Sequence, residues 1–161
     1  MTEQLWAPWR LEYVQTGAAA GGCVLCDAVA GDDPAGLIVH RGERAYVLMN
    51  LYPYSNGHLM IAPYRHVAEP GDLDEAERAE TWSLFDRAVR ALTAAMAPQG
   101  FNAGVNLGRV AGAGVEDHLH LHVVPRWSGD TNFMPVLADV KVMPEHVTRT
   151  AAKLRAAWPA A

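Results

Sequence analysis

At 161 residues, half of them hydrophobic, the chain has the length and apolar content of one ordinary domain with a single sizeable core. Thirteen Lys and Arg against eighteen Asp and Glu leave a formal net charge of −5. That balance argues against a protein that wraps a nucleic-acid polymer by neutralising its phosphates, so an anionic ligand has to be held locally. No run reaches the roughly 18 apolar residues of a membrane span, and no basic segment followed by an apolar stretch opens the chain. The expectation is a soluble, cytoplasmic protein without a membrane partner.

The opening Leu5-Trp6-Ala7-Pro8-Trp9-Arg10 holds two of the five tryptophans and is too apolar for a free tail; residues 1–22 are expected to form an arm packed on the domain or on a second subunit. Residues 23–30 predict a short helix ending near Gly31. Its two cysteines, Cys23 and Cys26, are the only ones in the chain. A disulfide framework wants more cysteines and wider spacing, which leaves half a metal site, a redox pair or two spare thiols. Residues 37–40 and 45–49, separated by Arg41-Gly42-Glu43-Arg44, predict a hairpin. Residues 50–57 contain Pro53, Asn56 and Gly57 and predict a loop, and 58–63 a third strand.

One long helix is predicted over 72–97, where Leu73, Ala76, Trp82, Phe85, Val89, Leu92 and Met96 recur at three- and four-residue steps. Its acidic first turn suits the positive end of the helix dipole, and Pro98 and Gly100 end it. A strand over 103–107 and a glycine-bearing loop over 108–114 lead to a histidine-rich strand that Pro125 stops or turns outward. A terminal helix is predicted over 145–158. Strands joined by short turns, with one long helix between two groups of them, favour an α+β domain with an antiparallel sheet backed by helices.

The strongest chemical signal is His118-Leu119-His120-Leu121-His122-Val123-Val124. Strand side chains alternate faces, so the three imidazoles share one surface while Leu119, Leu121 and Val123 face the core. A merely solvated strand face gives histidine no advantage over Thr or Lys. What remains is a metal site with all three as ligands, or acid/base and nucleophilic chemistry. Upstream, Asn106-Leu107-Gly108-Arg109-Val110-Ala111-Gly112-Ala113-Gly114 supplies small residues whose backbone N–H groups suit phosphate oxygens, a weak signal alone and a stronger one beside three aligned imidazoles.

With those residues at its centre, the segment 106–133 resembles the histidine-triad nucleotide hydrolases and transferases, and Asn50-Leu51-Tyr52-Pro53-Tyr54-Ser55-Asn56-Gly57-His58 is similar to that family's strand-loop-strand segment. The resemblance spans 23–133, with 1–22 an arm and 134–161 a C-terminal extension of one domain. It implies the histidine-triad fold: an antiparallel sheet of about five strands, one long helix, a short N-terminal helix and a C-terminal helix. Val124-Pro125-Arg126-Trp127-Ser128-Gly129-Asp130 is closer to the dinucleoside polyphosphate branch, with its diadenosine tetraphosphate phosphorylases, than to the adenosine phosphoramidases. The implied chemistry is cleavage at an α-phosphorus through a nucleotidyl-histidine. In it His120 is the nucleophile, His122 contacts the phosphate or protonates the leaving group, and His118 and His58 orient their neighbours. Gly112, Gly114 and Val115 offer backbone donors, Asn50 binds the ribose, and Asn106 the phosphate or leaving group.

Gly114 and Val115 stand where relatives often carry Gln followed by Ser or Thr, a departure that moves the expectation toward the phosphorylase branch. Other expectations follow from the same resemblance. A structural zinc is held by Cys23, Cys26, His66 and His118, in which case His118 is scaffold rather than acid or base. Neither magnesium nor an organic cofactor is obligatory, and the protein is a homodimer. Adenosine phosphoramidase and nucleotide-binding sensor stand as alternatives. His40 and His146 are expected at the surface.

Overall fold

The structure is a computed structural model that describes residues 22–33, 35–131 and 143–160. Two strands, β1 (Ile38–Arg41) and β2 (Ala45–Met49), form the expected hairpin, with Arg41 opposite Tyr46. Next to β2 lies β3 (Leu59–Pro63), then β5 (Leu121–Arg126), and β4 (Gly100–Val105) closes one edge, giving an antiparallel order β1-β2-β3-β5-β4. The strand that carries the chemistry is therefore interior, with His122 opposite Met60 of β3 and Gly104 of β4.

Both sheet faces are covered, so β2 shows no polar alternation and all five of its residues are buried. Ala45, Val47 and Met49 meet Val39, Leu59, Ile61 and Val123 under α2 (Glu75–Met96) and α3 (Val147–Ala156). Tyr46 and Leu48 point the other way, with Ile38 and Ala62, against Leu25 of α1 (Val24–Val29). Each fully buried Leu or Val here contributes about 1.5–3 kcal/mol.

The long helix starts three residues later than its acidic run suggested, because residues 70–72 form a separate 3-10 turn. Asp74 is the cap: its side chain accepts from Glu77 N at 2.8 Å, and Glu77 Oε2 accepts from Asp74 N at 2.9 Å. The buried face of α2 is Leu84, Ala88, Ala91 and Leu92; Phe85, Val89 and Met96 pack beside it. Trp82, expected in the core, is 65% exposed. Alanines at 88 and 91 let the helix lie close on the sheet, a face that a count of large apolar residues overlooks.

The histidine strand begins at Leu121 rather than at His118. Residues just before it are held instead by the segment after β3, Leu119 N donating to Val67 O at 2.6 Å. Pro125 neither stops nor turns β5: it lies past the last rung to β3, Leu59–Val123, where its missing N–H costs no bond to that neighbour. β4 runs from 100 to 105 instead of 103 to 107, set by its pairing with β5 rather than by its own glycine- and asparagine-containing sequence. The expected arm at 1–22 falls outside the described residues except for Gly22, as does 132–142 of the C-terminal part.

Candidate active site and metal cluster

Two constellations share the histidine segment. Asn50 at the end of β2, His58 before β3 and His122 on β5 are buried together on the sheet face away from α2. Gly57 makes this possible. Its φ of +82° suits glycine, and a Cβ there would stand 2.8 Å from Met96 Sδ and 3.2 Å from Pro125 Cγ.

The hydrogen bonds fix which nitrogen of each ring holds the proton. Tyr54 N donates to His58 Nδ1 at 3.0 Å, so the His58 proton is on Nε2 and is donated to His122 Nδ1 at 2.9 Å. His122 is left with its proton on Nε2. The Asn106 amide lies 3.4 Å from that nitrogen, and a half-turn of the amide brings its oxygen onto the proton. His120 is set the opposite way. Its Nδ1 lies 2.8 Å from His118 O, and a carbonyl only accepts, so Nδ1 is protonated and Nε2 keeps its lone pair. The two rings pack edge to face with centroids 4.8 Å apart. One therefore presents a lone pair, the other a proton. Burial pushes His120 below the ordinary imidazole range, which keeps that lone pair unprotonated at neutral pH.

Tyr54, which the sequence did not single out, contributes twice: its amide orients His58, and its ring lies 4.6 Å from that of His58 and 5.7 Å from that of His122. An aromatic beside the Asn-Gly turn was the only available signal. Asn50 donates to the same imidazole at 3.3 Å while its Oδ1 accepts from Tyr52 N. In the glycine loop, Gly112 has φ +90° and its N–H is taken by Arg109 O. Gly114 is exposed and Val115 packs against the α1 cluster.

His118 turns its side chain into the second constellation. Cys23, Cys26, His66 and His118 place one ligand atom each within 4.8 Å of one another. His118 Nδ1 is 3.3 Å from Cys23 Sγ and 3.4 Å from Cys26 Sγ, and His66 Nδ1 is 3.4 Å from Cys26 Sγ. In tetrahedral zinc geometry, S and N ligands are about 3.6 Å apart, so the spacing fits that ion after slight expansion. The tautomer fits too: His118 Nε2 lies 2.9 Å from Pro63 O, which leaves Nδ1 deprotonated and facing the thiols. Burial and the neighbouring Cys23 push the Cys26 thiol up, as two facing anionic donors do without a cation between them.

The remaining histidines are not idle surface residues. His40 is half-buried and stacks on Trp158 at 5.0 Å. His146 is exposed but caps α3, accepting from Thr148 N.

The HIT domain family model matches residues 34–129. An AP-4-A phosphorylase from Mycobacterium tuberculosis is 38% identical over 164 residues, covering 97% of this chain and 84% of that protein. An adenosine 5'-monophosphoramidase from Schizosaccharomyces pombe is 33% identical over 106 residues, covering 65% of this chain and 74% of that one. Among solved structures, a zinc-bound histidine triad family protein from Mycobacterium smegmatis superposes with a TM-score of 0.68 at 28% identity, covering 84% and 92% of the two chains.

Proposed function

The chain belongs to the HIT domain family of nucleotide hydrolases and transferases, and from that membership we propose that it cleaves diadenosine polyphosphates at an α-phosphorus through a nucleotidyl adduct on His120. The opposed tautomers of the two rings support this reading most directly. His120 Nε2 attacks the α-phosphorus, and the bond to the departing polyphosphate breaks. His122 gives its Nε2 proton to the departing oxygen, then takes one from the incoming phosphate or water. From diadenosine tetraphosphate, ATP leaves first; phosphate converts the adduct to ADP and water converts it to AMP. Backbone amides of Gly114 and Val115 hold the phosphate oxygens, Asn50 the ribose hydroxyls, and Asn106 the leaving group, while the Gly112 N–H stays with Arg109 O and shapes the loop.

Similarity to the phosphorylase runs over 97% of the chain, whereas similarity to the phosphoramidase covers 65% of it. That difference puts phosphorolysis ahead of phosphoramidate cleavage. Incubation with diadenosine tetraphosphate, with and without inorganic phosphate, tests the reading by chromatography. ADP and ATP formed only with phosphate identify a phosphorylase, AMP and ATP formed regardless identify a hydrolase, and nucleotide binding without turnover refutes both. His120→Ala abolishes the activity; full turnover in that variant sinks the nucleophile assignment.

Two further assignments belong to the same reading. Zinc is the ion that suits Cys23, Cys26, His66 and His118; when bound it supplies a closed tetrahedral crosslink and no open coordination position. A homodimer built on the open edge at β4 is the assembly. Two cysteines without a disulfide suit a reducing, cytoplasmic compartment. Among the described residues, no helix is long and apolar enough to cross a membrane.

A further inference from the structure

The last described helix, α3, lies beyond residue 129, where the match to the HIT family ends. Its apolar residues Ala151 and Leu154 join the main core and account for its docking. Thr150 is different, being a polar side chain with no exposed surface. Its Oγ1 lies 2.9 Å from Glu145 Oε2 and 3.3 Å from Asn56 Oδ1, 94 residues away in sequence. A hydroxyl has one proton, and the nearer, charged carboxylate claims it; a half-turn of the Asn56 amide then exchanges its oxygen for the NH2 group, which donates to Thr150 Oγ1. Glu145 is in turn held by Lys153 Nζ at 2.7 Å.

Asn56 belongs to the turn that delivers His58. His58 N donates to Ser55 O at 3.1 Å, Gly57 is wedged between α2 and Pro125, and Tyr54 N reaches His58 Nδ1. On the face toward α3, this turn is tied by the Asn56–Thr150 contact. Resting on the reading that His58 sets the proton of His122, we propose that Thr150 is a positioning residue for this reaction. Through Asn56 it fixes the 54–58 turn so that His58 Nε2 meets His122 Nδ1, making the C-terminal helix part of the catalytic apparatus.

The test replaces Thr150 with Val, which keeps the shape and removes the hydroxyl, and with Ser, which restores it. Imidazole ¹⁵N shifts of His58 and His122 are recorded together with kcat and KM for diadenosine tetraphosphate cleavage in phosphate. Thr150→Val is expected to mix the two tautomers of His58 and to lower kcat about tenfold with KM within about twofold, while Thr150→Ser returns both readouts toward the starting protein. Wild-type imidazole signals in Thr150→Val overturn the proposal whatever the activity. Because those signals need no substrate, a protein inert toward the dinucleotide refutes the proposed reaction and leaves the positioning claim separately decided. Asn56→Ala removes the other partner and must give the same change; it carries the test if Thr150→Val does not fold.

Discussion

His118 is used twice, and the two uses belong to different atoms. Its ring faces Cys23 and Cys26, while its carbonyl holds the proton on His120 Nδ1. The alternating motif gives three imidazoles on one face, and that much could be read from residues 118–122. Their protonation could not, because it depends on acceptors and donors distant in sequence: Pro63 O for His118, and the Tyr54 amide, through His58, for His122. His58→Leu removes the donor that fixes His122 and leaves that ring free to carry its proton on either nitrogen. The expected result is a fall in kcat of about 10–100-fold with substrate affinity retained. Steady-state kinetics check this, and unchanged kcat would remove His58 from the mechanism.

At the scale of elements, α1 and α2 are anchored by polar devices that follow from spacing. α1 has six residues, too short to persist alone, and its N-cap Cys23 makes no side-chain cap bond. It is joined to the sheet by Tyr46 Oη donating to Leu25 O and by the Cys/His cluster. Chelator-washed protein is therefore expected to retain about one equivalent of zinc by elemental analysis, and Cys26→Ser to lose it with a fall in Tm of roughly 5–10 °C. Less than about a tenth of an equivalent in the unmodified protein would remove zinc from the account. The pair Cys23 and Cys26 was legible as half a site, but His66 needed a family resemblance because nothing in the intervening 39 residues marks it.

On α2, Glu77 closes the capping box and accepts from Arg65 Nε at 2.6 Å. The Arg65 guanidinium holds the Glu77 carboxyl at about 2, against 4.5 unfolded. Since the folded value is the lower one, the stabilisation is complete above pH 4.5 and is lost as pH falls from there toward 2. Urea unfolding across that window is expected to show a steep loss that Glu77→Gln flattens; equal slopes in the two proteins would refute the assignment.

Trp82 connects the element to the whole molecule. Its helical spacing marked it as core, yet it stands open beside β4, the edge of the sheet, whose residues from Asn102 to Val105 are exposed. Spacing reports which residues avoid water, and it cannot tell a core within one chain from a surface that a second chain covers. Trp82, Leu73, Val105, Leu119 and Leu121 line an apolar groove of about 320 Å³ next to that edge. Among the described residues the outer edge of β4 has no partner strand, and such an edge bordered by exposed aromatic and aliphatic groups is a pairing and aggregation hazard unless something covers it. The proposed homodimer would cover it without a new surface: a two-fold axis beside β4 would pair the two edges antiparallel and set each Trp82 against the partner. The histidines face the other side of β5 from Val123, so such pairing leaves their chemistry open to substrate while stiffening the strand that carries His122. Sedimentation at micromolar concentration is expected to give a dimer, and Trp82→Glu, which places a charge in the groove, a monomer with its secondary structure intact. A wild-type monomer, or a Trp82→Glu dimer of undiminished stability, would move the interface elsewhere.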